Sequence, residues 1–247
     1  MNEPDATAGQ ELLQQLRAEL ARSQQQVAGM AAAQEEFLRA VSHDLRAPLR
    51  HVTSYGMLVR EMLGDLPPEV VQAPGVQEAL GFLATMDQSA RRMGLMIDGL
   101  LALVRASRAP LHLQPVPLGT AIAQARAALV AAEDGRAVDW RVDADLPTLQ
   151  ADPVLLQELL VQLLGNALKF TRPVAQPCIT VQTDAAPAGQ AAFTVQDNGV
   201  GFDPARAGSL FGVFQRLHRE AEFDGVGTGL ALCRAIAQRH GAQISAT

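Results

Sequence analysis

Apolar side chains recur in alternating steps of three and four residues along the first part of the chain: Leu13, Leu16, Leu20, Ser23, Val27, Met30, Gln34, Phe37 and Val41. Such a repeat keeps one seam on one side of a helix. Its neighbours Arg17, Glu19, Arg22 and Gln24 to Gln26 are polar, so the spacing predicts a long helix that pairs in a parallel coiled coil. Ser23 and Gln34 weaken the seam, as in a coil that changes state. The same pattern also suits an amphipathic helix packed within one chain; the length of the run favours pairing with a second copy. Helical spacing continues to Met62 or Leu63, where "GDLPPEVVQAPG" interrupts it with Gly and Pro. A second helix is predicted from about Val76 to Arg105, with Leu80, Leu83, Met86, Ala90, Met93, Ile97, Leu100 and Val104 on one side. Two long helices about a short connection form an αα-hairpin, and two hairpins joined by the coil form a four-helix bundle. "SRAPLHLQPVP", residues 107–117, reads as a linker because Pro recurs and the apolar period stops.

Beyond it the texture becomes α/β. A helix is predicted over about Leu118 to Ala132, short strands near Ala137 to Val142 and Thr148 to Ala151, and a strong helix over Pro153 to Phe170. "CITVQTD" and "AAFTVQD" read as strands joined by the turn-rich "AAPAGQ". A Gly-rich stretch then enters a helix from about Thr228 to His240.

Composition narrows the class. The 247 residues are 48% hydrophobic and 19% charged, enough for a real core and for one or two domains. A net charge of −6 argues against a broad nucleic-acid footprint. Lys169 is the only lysine, and Cys178 and Cys233 are too few for a disulfide framework. No apolar run reaches the roughly 20 residues that cross a bilayer, and the Gln-rich start does not resemble a signal peptide. The expectation is a cytoplasmic chain that carries no membrane segment and binds no nucleic acid.

Candidate chemistry begins at "AVSHDLRAPLRH", residues 40–51. On a helical wheel Leu38, Leu45, Leu49, Val52 and Val59 fall within roughly 80° of Val41, and His43 points about 200° away beside Arg39, Arg46 and Arg50. His43 is therefore expected on the solvent side, with Asp44 on its flank. Pro48 removes a backbone donor and frees the carbonyl of Asp44, which is expected to bend the helix. An adjacent carboxylate can orient an imidazole and take its proton, and arginines suit an anionic phosphoryl donor. By itself the His-Asp pair equally describes a solvated helix face.

In "VLLQELLVQLLGNALKFT", Leu156, Leu160, Leu163 and Ala167 make an apolar stripe, while Glu158, Gln162, Asn166 and Lys169 share another face. That second face is either a solvated surface or a holder for a metal-bound triphosphate, with the Asn carbonyl as one magnesium ligand. In "VQDNGVGFD", Asp197 ends a strand and two glycines allow close backbone approach. A buried carboxylate there suits the exocyclic amine of adenine; the other reading is an Asn-Gly hairpin turn. Gly225, Gly227 and Gly229 precede a helix, as in a phosphate cradle built from backbone N–H groups. No Gly-Lys-Ser/Thr follows, so this is not a P-loop.

In this order and spacing the motifs resemble a bacterial sensor histidine kinase of two-component signalling. "FLRAVSHDLRAPL" resembles its phosphoacceptor box, "ELLVQLLGNALKFT" the N box, "DNGVGFD" the first glycine box, "LFGVFQRLH" the F box and "GVGTGLAL" the second glycine box. The fold implied is an all-α coiled coil and dimeric four-helix bundle followed by an α/β sandwich ATP-binding domain of the gyrase, chaperone and kinase type. Residues 1–36 would be a signalling-helix coiled coil, 37–107 the dimerisation and histidine-phosphotransfer domain, 108–117 a linker and 118–247 the catalytic domain. By resemblance His43 is the phosphoacceptor and Asp44 its general base, Asn166 a Mg²⁺ ligand, and Lys169 and Arg216 phosphate contacts. Asp197, with the backbone at Gly199 and Gly201, is expected to recognise adenine. Residues 204–226 become a lid over ATP packed by Phe211 and Phe214, and Gly225, Gly227, Thr228, Gly229 and Leu230 line the phosphate loop. The implied reaction is ATP-dependent autophosphorylation of His43 in a homodimer, then transfer to an aspartate of a response regulator receiver domain.

Some positions depart from the family pattern. Ala47 stands where Thr or Asn positions water, so phosphatase activity toward the regulator is expected to be weak. Gln162 stands where the related ATPases carry a catalytic Glu, and a carboxamide cannot activate water. Ala231 replaces a frequent glycine. The resemblance places one or two further strands after "HGAQISAT" and a sensor ahead of the coil, and neither is recognisable in this chain. "SHDLRAPL" resembles the equivalent box of kinases attached to soluble photosensors such as phytochromes. Two other readings fit parts of the pattern: a kinase-inactive dimer that docks a regulator, and an ATPase of the gyrase and chaperone group.

Overall fold

The computed structural model describes residues 3–108, 110–187, 189–219 and 222–247, and the side chains of these apart from residues 3–13, 28, 31 and 35. Leu13, the first position of the predicted seam, thus lies outside the described side chains. Helix α1 (Glu3–Gly64) runs without interruption through Pro48. A one-turn helix, α2 (Pro68–Val71), occupies the predicted break, with proline at its start where no backbone donor is needed. Helix α3 (Pro74–Arg108) returns along α1. Two cross-helix bonds set their register: Arg46 Nη2 donates to Asp98 Oδ1 at 2.6 Å, and Arg108 Nη2 to Gln34 Oε1 at 3.1 Å.

The wheel reading placed one apolar face on α1, and the structure divides it. Leu38, Val41 and Leu49 are half-buried and Ser42 is buried, while Leu45, Val52, Tyr55, Val59 and Met62 stay exposed. Seam residues Leu16, Leu20, Val27, Met30 and Phe37 are exposed too, as are Phe82, Met86 and Met93 of α3. A 62-residue helix with a single intrachain partner leaves its second apolar stripe uncovered.

The stretch read as linker contains a strand, β1 (Gln114–Pro117), antiparallel to β3 (Thr148–Ala151). Alternating Pro115 and Pro117 are tolerated because a two-stranded sheet leaves one side of each strand without ladder donors. Between these strands lie helix α4 (Leu118–Ala128), a 3₁₀ turn (Val130–Glu133) and β2 (Asp139–Val142). Helix α5 (Pro153–Phe170) matches its predicted span. It is followed by β4 (Cys178–Asp184), β5 (Ala192–Asp197), a 3₁₀ turn (Pro204–Ser209) and α6 (Gly229–Arg239). The three-stranded sheet has the order β2-β4-β5, parallel then antiparallel.

Helices α4, α5 and α6 bury one continuous core with the inward residues of β4. Leu118, Ile122, Leu160, Leu164, Leu168, Ile179, Val181 and Ile236 are closed to solvent, and Ala106 and Ala102 of α3 belong to the same cluster. At the start of α5, Asp152 Oδ1 accepts from the N–H groups of Val154 and Leu155, and Oδ2 from His112 N at 3.0 Å. The N–H of Asp152 in turn donates to His240 Nε2 at 3.0 Å. Burial alone would raise the Asp152 carboxyl; the three backbone donors outweigh it and hold the group below its ordinary value of 3.8. At the other end of α5, Arg136 donates to the carbonyls of Thr171 and Leu168.

Gly99 marks where α3 meets α6. A Cβ on Gly99 would stand 2.7 Å from both Cβ and Cγ2 of Thr228 and still closer to its Oγ1. Thr228 precedes α6, and its hydroxyl makes no capping bond there.

Two outcomes follow from this packing. Asp152→Ala should cost about 1–2 kcal/mol in urea unfolding at neutral pH. Because the folded carboxyl lies below 3.8, the contribution is complete above that pH and vanishes as pH falls through the lower folded value, where wild type and variant should converge. Gly81 is exposed with open space around it, so Gly81→Ala should stabilise α3 by roughly 0.5–1 kcal/mol. Gly99→Ala should instead destabilise, because Thr228 blocks the new methyl; equal gains from both substitutions would refute the close contact.

Candidate functional site

His43 and Asp44 project from α1 with side chains 86% and 82% exposed, and His43 Nδ1 lies 3.2 Å from Asp44 Oδ1. A carboxylate oxygen accepts, so Nδ1 carries the hydrogen of this bond and Nε2 is left facing outward. Among the described residues, no hydrogen bond or ion pair joins this pair to the α/β portion.

The second group of candidates is assembled by α5 and the segments around it. Burying Leu156, Leu160, Leu164 and Ala167 turns Glu158, Gln162, Asn166 and Lys169 toward α3, α6 and the 204–226 segment, where all are half-buried. This is not a solvated face. Burial raises the Glu158 carboxyl, with Arg105 of α3 acting against it. Burial lowers the Lys169 ammonium, and the neighbouring Arg216 and Arg172 lower it further while Asp224 opposes them. Arg172 Nη1 holds Asp224 at 2.8 Å, and Lys169 Nζ stands 4.3 Å from the centre of the Phe170 ring. Lys169, Arg172 and Arg216 thus concentrate positive charge that a polyphosphate would neutralise.

Glycines bring the backbone into this cation cluster. A Cβ on Gly225 would meet Lys169 Nζ at 3.6 Å, one on Gly227 the carbonyl oxygen of Gln215 at 2.5 Å, and one on Gly229 the Gln162 Oε1 at 2.5 Å. Gly225 and Gly227 also hold φ of 124° and 76°, which side-chain-bearing residues rarely adopt. Phe214 N donates to Gly227 O at 2.8 Å, and Phe214 itself sits at φ 61°. The Phe214 ring is 42% exposed, while its backbone bond to Gly227 ties the 204–226 segment to the glycine-rich loop. Thr228 turns its side chain onto Gly99, and Leu230 is half-buried at the start of α6.

At the end of β5, Asp197 Oδ1 accepts from Gly199 N at 2.9 Å, and a Cβ on Gly199 would overlap the carbonyl oxygen of Phe170 at 2.6 Å. Asp197 has more exposed surface than the sequence reading assumed, yet the crowding is enough for burial to raise its carboxyl. "DNG" is not a hairpin turn here. Asn198 Oδ1 accepts from Cys178 N and its Nδ2 donates to Gln176 O, pinning the loop to the start of β4. Gly201, at φ 63°, continues this loop and presents its carbonyl to His218.

Sequence reasoning did not single out Gly99, Asp98, Asp224, His218 or Phe223. Each acts through a partner distant in the chain, for which no local spacing signals. Lid positions 220 and 221 lie outside the described residues. For a metal, the donor set is sparse: among the described residues no group of three or more His, Cys, Asp or Glu stands together. A single carboxamide, Asn166, half-buried on the same helix face as Gln162 and Lys169, fits Mg²⁺, which keeps mostly water and phosphate oxygens. Among the described residues no helix is long and apolar enough to cross a membrane.

Comparison with known proteins agrees with this geometry. Residues 33–108 match the family model described as the His Kinase A (phospho-acceptor) domain. Residues 151–247 match that described as histidine kinase-, DNA gyrase B-, and HSP90-like ATPase. Cyanobacterial phytochrome B of Nostoc sp. is 30% identical over 94% of this chain and 29% of its own length. Sensor protein CutS of Streptomyces coelicolor is 30% identical over 87% of this chain and 49% of its own. Full-length ShkA, solved in complex with AMPPNP, superposes with a TM-score of 0.55 at 25% identity, covering 83% of this chain and 41% of that one. The chain therefore spans 29% to 49% of the length of these curated relatives. With a phosphoacceptor helical hairpin followed by an ATPase-type α/β fold, it belongs to the sensor histidine kinase family.

Proposed function

We propose that this chain, as a homodimer, phosphorylates His43 with ATP and then passes the phosphoryl group to an aspartate of a response regulator receiver domain. The observation that carries the reading is the exposed His43–Asp44 bond at 3.2 Å, on a chain that also builds a glycine and cation cradle. With its hydrogen held on Nδ1 by Asp44, His43 attacks the γ-phosphorus through Nε2; the bond to the β,γ-bridging oxygen breaks and ADP leaves. The imidazole becomes cationic as the N–P bond forms. Asp44 stabilises that charge and accepts the Nδ1 proton.

Lys169, Arg216 and the backbone around Gly225, Gly227 and Gly229 would hold the phosphates, and Asp197 the adenine amine. Asn166 would supply a protein oxygen to Mg²⁺, which spreads the charge of the transferring group when bound. Residues 1–36, 37–107 and 118–247 would act as coil, phosphoacceptor domain and catalytic domain, joined by 108–117. The uncovered stripes on α1 and α3 favour a second copy of the chain as their partner in the bundle, and an upstream sensor would act through the coil.

Incubation with γ-labelled ATP and Mg²⁺ should give an acid-labile, alkali-stable label that His43→Ala abolishes. Asp44→Asn should slow labelling by roughly 100-fold or more with little change in ATP affinity. Bound ATP with no label on wild type would instead support the kinase-inactive docking dimer. Ala47→Thr should raise turnover of the phosphorylated regulator above that of wild type, measured as loss of label from the isolated phospho-regulator; an unchanged rate would reject the role given to that position.

A further inference from the structure

His218 is the side chain in which the segments of the nucleotide site converge. Its ring centre lies 5.3 Å from that of Phe170, the last residue of α5, and 5.2 Å from that of Phe223. Phe170 and Phe223 also meet edge to face at 5.1 Å, so the three rings close a cluster, with Phe223 buried. On its other side His218 Nε2 lies 3.0 Å from the carbonyl oxygen of Gly201. A carbonyl only accepts, so Nε2 carries a hydrogen and donates. One residue of the 204–226 segment thus touches the end of the Asn166 helix, the loop after Asp197 and the approach to the phosphate glycines.

The same anchor bears on Arg216. Arg216 Nη2 donates to the carbonyl of Phe223 at 2.7 Å, Phe223 N to the carbonyl of Arg219 at 3.3 Å, and Arg219 N to Glu222 Oε2 at 3.1 Å. The loop carrying Arg216 is therefore folded back on Phe223, and His218 fixes that unit against Phe170. Phe170 is itself held at the Asp197 end, since its carbonyl accepts from Val200 N at 3.3 Å. Without His218 the unit keeps its internal bonds and the Phe170–Phe223 edge contact, but it loses one of the two rings that seat it on Phe170 and its bond to Gly201.

We infer that His218 is a positioning residue for nucleotide binding: by stacking on Phe170 and Phe223 and bonding to Gly201, it holds Arg216 beside Lys169 where the phosphates are received. This rests on the ATP-binding reading above. It assigns His218 no contact with the reacting atoms, so its loss should weaken binding more than chemistry.

The experiment compares wild type with His218→Ala, His218→Phe and His218→Gln in the full chain, using a fluorescent ATP analogue with Mg²⁺ for affinity and γ-labelled ATP for rates. His218→Ala should raise both the Kd of the analogue and the KM for ATP by roughly tenfold, the combined worth of an aromatic contact and a hydrogen bond. Its kcat should stay within about twofold of wild type, because binding and not chemistry is affected. His218→Phe keeps the stack and His218→Gln keeps a donor, so each should recover part of the affinity. Unchanged Kd and KM in His218→Ala would overturn the inference while leaving ATP binding intact, and so would a loss confined to kcat. A wild-type chain that does not bind the analogue would overturn the ATP-binding reading and the inference with it. A thermal midpoint for His218→Ala close to that of wild type, with affinity lost, separates positioning from general unfolding.

Discussion

The orientation of α5 about its own axis is the constraint from which the candidate site follows. Leu155, Leu156, Leu159, Leu160, Leu164, Ala167 and Leu168 are all buried against α4, α6 and the sheet. Each buried leucine is worth about 1.5–3 kcal/mol relative to exposure. Turning the helix by one residue, about 100°, would bring several of them to the surface together. That energy fixes where Gln162, Asn166 and Lys169 point, with no special interaction at those residues. Asp152 at one end and Arg136 at the other then set where the helix starts and stops.

A second consequence is electrostatic. The polar side of α5 is roofed by α3, α6 and the segment before the phosphate glycines, so its charges are partly removed from water. Lys169 accordingly holds its proton less tightly than an exposed lysine, and Arg216 and Arg172 add to the effect. Glu158, further from these cations, is displaced the other way by burial. Gathering like charges in a desolvated groove costs stability in the free protein, and a polyanion relieves that cost. Asp224 offsets part of that charge, and a polyphosphate would offset more of it.

These features were unequally visible in the sequence. Helix α5 was legible from end to end because Asp152-Pro153 begins it and its heavy leucine content leaves one choice of face. Strands β4 and β5 showed in their apolar alternation, and β3 lies where a short strand is predicted, at Thr148–Ala151. Strand β1 was not visible, since Pro115 and Pro117 read as breakers unless the partner strand is known. On α1 the wheel gave the direction of His43 correctly but merged two stripes into one. Separating Ser42 and Leu49, which face α3, from Leu45 and Val52, which do not, requires knowing where α3 crosses. Asn166, Asp197 and the glycines carry local signatures, which is why the sequence singles them out. Gly99 and His218 act through partners more than a hundred and nearly fifty residues away respectively, and no spacing rule reaches that far.

The two halves of the molecule are joined through α3, and that shapes what the site can do. Gly99 receives Thr228, the residue at the entrance to α6, because it lacks a side chain. Its neighbour Asp98 binds Arg46, which lies one helical turn after His43. The helix that seats the phosphate loop is therefore the same one that holds the phosphoacceptor helix in register. Exposed ion pairs such as Arg46–Asp98 are weak, worth about 0–1 kcal/mol, whereas the Gly99 contact is steric and steep in distance. Bringing α3 closer to α6 at Gly99 would push Thr228 and the start of α6 aside.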